Sequence, residues 1–142
     1  MADEKESGYV QDLAKGRLQQ ARDDLKSAQL NFSAGLLKAA NNRAYYAIFH
    51  AVAAVLSLEN VAFKRHKDTI AYFNNNYVRT EVFPRKIGRM ISEAQEIRHA
   101  SDYDVFYIAV KSDTEEQIAA AEEIIHLVEE YLEKDVSKPG QE

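Results

Sequence analysis

The stretch NNRAYYAIFHAVAAV, residues 41–55, lies in the most apolar segment of the chain, yet it carries an arginine, two tyrosines and a histidine within two helical turns. At about 100° per residue, Tyr45, Ile48, Phe49, Val52, Val55 and Leu56 gather on one side of a helix, which is the main core face. Arg43, Tyr46 and His50 gather on another, because positions three, four and seven apart share a helix face. Ala47, Ala51, Ala53 and Ala54 surround them, and small residues let another backbone approach closely. The second face is therefore also covered, by a neighbouring helix or by a second copy of the chain. A polar trio on a covered face needs partners, since burying polar groups unpaired costs about 1–3 kcal/mol each. The expected partners are Asp102 or Asp104, a backbone carbonyl, or a ligand.

Working outward, Gly and Pro number only five and two, and no run alternates apolar and polar residues as a half-buried strand does. The pattern is all-α. A first helix is expected over Tyr9–Asn31, with Leu13, Leu18, Ala21, Leu25 and Ala28 along one face. Ser33 and Gly35 break it, and the central helix follows from Leu36 to Leu58. After the loop ENVAFKR comes a shorter helix over His66–Arg79; Pro84, a good first-turn residue, opens a fourth helix reaching His99. HASDYDVFYIAVKS is irregular by pattern. Ser112 with Glu115 forms a capping signal for a last helix over Asp113–Lys134, striped by Ile118, Ala121, Ile125, Val128 and Leu132. Short links between antiparallel neighbours make an up-and-down four-helix bundle with one additional short helix, a single domain over 1–142 with an ordered core at 9–134. Residues 1–7 and 136–142 read as frayed tails.

A chain of 142 residues can bury one core without disulfides, and it contains no cysteine, which removes thiolate chemistry and Cys-type zinc sites and suits a reducing cytosol. No cofactor or metal ligand set is legible, and nothing resembles a glycine-rich phosphate loop. The opening MADEKESGYV has no apolar run, so no secretory leader or membrane association is expected and the protein is assigned to the cytoplasm. Charge is uneven: residues 61–100 hold eight basic and four acidic side chains, a local +4 in a chain of net −5. Such a basic middle can meet a polyanion or be balanced by neighbouring helices.

A second polar constellation is IRHASDYD, residues 97–104, where Arg98, Asp102, Tyr103 and Asp104 close a helix and enter a loop. Arg98 and Asp102 can also pair simply at i,i+4. His50 is read either as a packing histidine or as a proton-transfer group, and His66 and His126 as helix-surface or terminus residues.

NRAYYAIFHA (42–51), HKDTIAYFNNNYV (66–78) and EIRHASDYD (96–104), in this order and spacing, resemble the HEPN domains (higher eukaryotes and prokaryotes nucleotide-binding), in their small stand-alone prokaryotic branch. The resemblance covers residues 9–133. It implies a five-helix domain built on a four-helix bundle, a homodimer with a cleft between protomers, a nucleotidyltransferase partner in toxin–antitoxin or defence modules, and in many members metal-independent ribonuclease activity. Those ribonucleases are similar in using an arginine followed, after four to six residues, by a histidine. In this chain the positions due after Arg98 hold Tyr103, Asp104 and Val105, and His99 comes too early. The resemblance thus implies a nucleotide- or RNA-binding cleft lined by Arg43, Tyr46, His50, Arg98, Asp102 and Tyr103. A composite ribonuclease site is the alternative, with Arg98 and Arg43 on phosphate and His50 in proton transfer. A third reading makes the chain a dimeric interaction partner whose polar cluster is structural.

Overall fold

The computed structural model describes the backbone of residues 4–137 and the side chains of residues 8–135. Five helices follow in order: α1 (Glu4–Ser33), α2 (Leu37–Ser57), α3 (His66–Phe73), α4 (Lys86–Tyr103) and α5 (Lys111–Ser137), with a π-helical turn at Asn74–Val78 between α3 and α4. There is no strand among the described residues, so the all-α bundle with an additional short helix is the fold. None of these helices is long and apolar enough to cross a membrane. Of the expected tails, residues 1–3 and 138–142 lie outside the described residues, while 4–7 and 136–137 continue α1 and α5.

The central helix is central because both its faces are apolar or small. α2 buries twelve of its twenty-one residues. Ile48, Val52, Val55 and Leu56 are essentially inaccessible to solvent, each worth about 1.5–3 kcal/mol of burial. Ala47, Ala51 and Ala54 are fully buried as well. α1 runs antiparallel along α2: Arg43 on α2 reaches Asp24, while one end lower Arg17 donates to Ser57 Oγ at 2.6 Å. α5 runs antiparallel to α1, through Arg22 with Glu129 and Gln29 with Glu122.

Both ends of α2 are shaped by left-handed residues. After α1, Gly35 adopts φ 79°, the Leu36 N–H reaches the Asn31 carbonyl at 2.9 Å and the Gly35 N–H reaches the Phe32 carbonyl at 3.0 Å. This is a Schellman closure, which glycine permits without steric cost. After α2, Asn60 at φ 57° repeats the pattern, with Val61 N–H on the Leu56 carbonyl and Asn60 N–H on that of Ser57.

Three boundaries differ from the sequence reading. The third helix does not run unbroken to Arg79, because the five-residue π-helical turn replaces its last part. α4 continues one turn past His99 to Tyr103, because Asp102 is held from two sides, by Asn42 Nδ2 at 3.2 Å and by Arg98 Nε at 3.2 Å. Ser112 is not a cap. α5 begins at Lys111, Thr114 N–H takes the Val110 carbonyl at 3.1 Å, and Lys111 sits 5.8 Å over the Phe32 ring. Tertiary anchoring of Lys111 and the buried Thr114 overrides the local signal.

Candidate functional site

Four elements meet around Tyr46. From α2 come Asn42, Arg43, Tyr45, Tyr46, Phe49 and His50; from α4 come Arg98 and Asp102; α3 begins with His66, and α1 supplies Asp24. Helical spacing turns Tyr46 toward both α1 and α4, so that two arginines approach its ring. Arg43 Cζ lies 5.0 Å from the ring centroid and Arg98 Cζ 5.6 Å. The Arg98 guanidinium also donates to the Tyr46 hydroxyl at 3.2 Å and lies 5.3 Å from the Tyr45 ring. These cation–π contacts and the hydrogen bond fix the guanidinium before any ligand arrives. The Arg98 Nε lies 3.2 Å from Asp102 Oδ2, close enough for ionic attraction but not aligned as a hydrogen bond. Asn42 Oδ1 and Ser101 Oγ nearby are likewise buried without a hydrogen-bond partner among the described residues.

On the α3–α4 side, a cleft of about 520 Å³ is lined by Arg98, Tyr45, His66, Lys67, Gln95 and His99, among others. His66 is a helix-terminus residue, the first of α3, and it also lines this cleft. Its ring stacks on Phe49 with centroids 3.8 Å apart, and its Nδ1 is 3.1 Å from the Tyr45 hydroxyl, with donor and acceptor set by the tautomer. Burial, and then the positive charge of Arg98, lowers the pKa of His66, so the neutral imidazole prevails at pH 7. Burial pushes the Tyr45 phenol up to about 12, against the opposing pull of Arg98.

On the α1 side Arg43 and His50 find their partner, and it is neither Asp102 nor Asp104. Asp24 Oδ1 accepts from Arg43 Nη1 at 3.0 Å, and Asp24 Oδ2 lies 3.6 Å from His50 Nε2. The physical reason is the alanine stripe, which brings α1 against this face before α4 can reach it. Burial lowers the pKa of His50 while Asp24 raises it and Arg17 and Arg43 lower it further. His50 lines two clefts of about 340 and 240 Å³ on this side, neither of which includes Arg98.

The structure therefore gathers Arg43, Tyr46, Arg98 and Asp102 into one connected chain of contacts, and separates His50 from the cleft that Arg98 lines. Asp102 serves that chain by bridging Arg98 and Asn42. Tyr103 stands outside it, 70% exposed, with its ring 4.8 Å from that of His99 at the rim of the Arg98 cleft. Asp104 accepts the Phe106 N–H at 2.9 Å in the following turn. His126 is a surface residue beside Glu130, as its sequence context indicates. Sequence reasoning missed Asp24, Lys67 and His99, and gave His66 too little weight. The signal for Asp24 is its register: it falls three after Ala21 and four before Ala28, on the flank of the buried stripe, where a carboxylate requires a cationic partner.

Comparison with known proteins agrees with this architecture. The HEPN domain model matches residues 14–131. A UPF0332 protein of Thermotoga maritima is 29% identical over 113 residues, covering 80% of this chain and 86% of its own. A candidate toxin of Methanocaldococcus jannaschii is 32% identical over 114 residues, covering 80% and 79%. A second candidate toxin of that organism is 23% identical over 124 residues, covering 87% and 84%. With the family model spanning most of the chain and the helices in the order its motifs imply, the protein belongs to the HEPN-domain family.

Proposed function

We propose that this chain is a toxin-type HEPN module that binds RNA or a nucleotide in the cleft between α3 and α4, with Arg98 as its phosphate anchor. One observation carries the reading: a partly buried guanidinium is held over two tyrosine rings and opens into a cleft with His66, Lys67 and His99. An immobilised guanidinium presents its donors to phosphate oxygens at little entropic cost. The rings of His99 and Tyr103 at the rim offer faces on which bases can stack. The unpartnered Asn42 Oδ1 and Ser101 Oγ are groups that a ligand or a second protomer can satisfy. Relatives described as candidate toxins favour a restraining partner protein, and the family resemblance favours a homodimer and a nucleotidyltransferase as that partner. The test is titration of a labelled single-stranded RNA: Arg98→Ala should weaken binding about tenfold or more while circular dichroism stays native, as loss of a charge-assisted contact implies. Unchanged affinity overturns the reading.

A specific observation favours a second, enzymatic reading, in which His66 takes the place given to His50 above. It is His66, neutral at pH 7, that lines the same cleft as Arg98. A neutral imidazole can accept the proton of a ribose 2′-hydroxyl as its oxygen attacks the adjacent phosphorus and the P–O5′ bond breaks, giving a 2′,3′-cyclic phosphate and a 5′-oxygen that takes its proton from water, while a guanidinium stabilises charge on the attacked phosphate.

A further inference from the structure

The Arg98 cleft does not end at Arg98. It shares Ser92 with a second cleft of about 580 Å³, lined by Asn74, Asn75, Arg79, Arg85 and Gly88, so the two form one groove along α4. On α4 the floor follows Arg85, Gly88, Ser92, Gln95 and His99, a helical stripe with steps of three and four. The opposite wall is the start of α3, with His66 and Lys67, and then the π-helical turn with Asn74, Asn75 and Arg79.

The wall comes close to the floor because Gly88 has no side chain: a Cβ there would lie 3.3 Å from Val78 Cγ1 and 3.6 Å from Asn74 Oδ1. The π-helical turn also leaves Asn74 Oδ1 buried with no hydrogen-bond partner among the described residues. π-helical insertions are frequent at functional sites, and this one turns two amide side chains toward the groove.

Charge gives the occupant. The local +4 of residues 61–100 is not evenly neutralised. Arg65 pairs with Asp68 and Lys86 with Glu123, both away from the groove. Among the described residues Lys67 and Arg79, which line it, have no carboxylate partner, and Arg85 meets Glu81 only at 3.5 Å with both side chains largely exposed. Among the lining residues Glu96 is the one carboxylate. From Arg85 to His99 the stripe spans fourteen residue steps, about 21 Å of helix at about 1.5 Å each. That is about six steps of a stacked strand at about 3.4 Å per step.

Resting on the binding function assigned to the Arg98 cleft, we infer that the ligand is a single-stranded RNA several nucleotides long that lies along the α3–α4 groove, with Arg79 and Arg85 contacting phosphates at the end remote from Arg98. Asparagines 74 and 75 supply donors and acceptors between the two cationic ends, so a mononucleotide fills only part of the site.

The experiment compares an RNA of about ten nucleotides, a size within the range single-strand sites cover, with a dinucleotide across a salt series. Wild type, Arg79→Ala/Arg85→Ala, Arg79→Lys/Arg85→Lys and Arg98→Ala are titrated. The wild type should favour the longer strand. The double alanine variant should lose about fivefold or more of that preference, and its slope of log affinity against log salt should be shallower by about 1.4, for two phosphate contacts at about 0.7 each. The double lysine variant should restore both. Unchanged preference and slope in the double alanine variant, with Arg98→Ala still weakening binding, would overturn the groove and leave the Arg98 site standing. Failure of wild type to bind either RNA overturns both.

Discussion

Arg98 on α4 donates to the hydroxyl of Tyr46 on α2 at 3.2 Å, and the guanidinium of Arg43 lies 5.0 Å from the centroid of the same ring. One side chain thus sets the position of two cations on different faces of the bundle. Removing only the hydroxyl, in Tyr46→Phe, keeps the ring and both cation–π contacts but frees one guanidinium donor. Stability should fall by about 0.5–1.5 kcal/mol, the usual net worth of such a bond. RNA affinity should fall less than in Arg98→Ala, since the charge remains. Urea denaturation and RNA titration on the same samples check both; a variant as weak in binding as Arg98→Ala would mean that the hydroxyl itself touches ligand.

Asp24 is the counter-charge for Arg43 and His50, and it is largely buried beneath them. In Asp24→Asn the side-chain oxygen can still accept from Arg43, but the charge that holds the His50 pKa up is gone. His50 should titrate still lower, and stability at neutral pH should drop by about 1–2 kcal/mol, the scale of a charge-assisted bond lost in a half-buried setting. The pH dependence has a definite sign. His50 and His66 both titrate below the ordinary histidine value of about 6.5 in the folded chain, so the unfolded chain binds more protons between the folded and unfolded pKa values. Stability is at its full level above about pH 6.5 and declines as pH falls through the folded pKa values. His66→Asn should flatten this decline in thermal melts taken between pH 7.5 and about 5; an unchanged slope in that variant would show that His66 is not desolvated.

How much of this was legible in the sequence follows from where the determining contacts lie. The α2 periodicity is local, so both its faces and its alanine stripe could be read directly, and Gly35 marked the α1–α2 turn because only a left-handed residue closes it. The π-helical turn could not be read: NNNYV is compatible with an ordinary helix, and its widening is tied to the approach of Gly88 from a distant helix. Asp24 was hidden for a similar reason. In α1 it is one of two adjacent aspartates, and only the packing of α1 on α2 distinguishes the one that meets Arg43 from Asp23, which accepts from Gln19 at the surface. The polar trio of Arg43, Tyr46 and His50 does share one face and lines one cleft with Asp24, but the cleft that Arg98 lines on α4 opens on another side of the bundle, a relation between helices that the α2 pattern alone does not contain.

Glu59, just beyond α2, accepts hydrogen bonds from the phenols of Tyr72 and Tyr77, tying the α2–α3 loop to α3 and the π-helical turn. Tyr77 is 5% exposed, and its pKa is driven upward by burial and by the carboxylate it serves, so it remains a neutral donor. Glu59→Ala leaves that buried hydroxyl without its acceptor and should cost about 1–3 kcal/mol. Tyr72→Phe, which removes a donor at a more accessible position, should cost under about 1 kcal/mol. Because the π-helical turn forms one wall of the α4 groove, Glu59→Ala should also weaken binding of the longer RNA. Denaturation curves for the two variants, together with RNA titration, separate these effects; equal costs would show that Glu59 acts through charge alone and not through the buried bond.

His66 and His99 line the Arg98 cleft and His50 does not, which gives the choice between binding and cleavage a direct test. Incubating RNA with purified protein in EDTA, with wild type, His66→Ala, His50→Ala and Arg98→Ala compared after each is shown to be folded, separates the cases. If the cleft is enzymatic, His66→Ala and Arg98→Ala should each lower the rate about a hundredfold or more, as loss of an acid–base group or of the principal cation does. His50→Ala should retain most of the activity, since His50 faces Asp24 and lines only the α1-side clefts. The wild-type rate should rise with pH through the lowered pKa of His66 and level off by neutrality, because only the neutral imidazole can take the proton. Loss of cleavage in His50→Ala with His66→Ala unaffected would move the chemistry to the α1 side of Tyr46. RNA that is bound but left intact by wild type would make Arg98 a binding anchor alone.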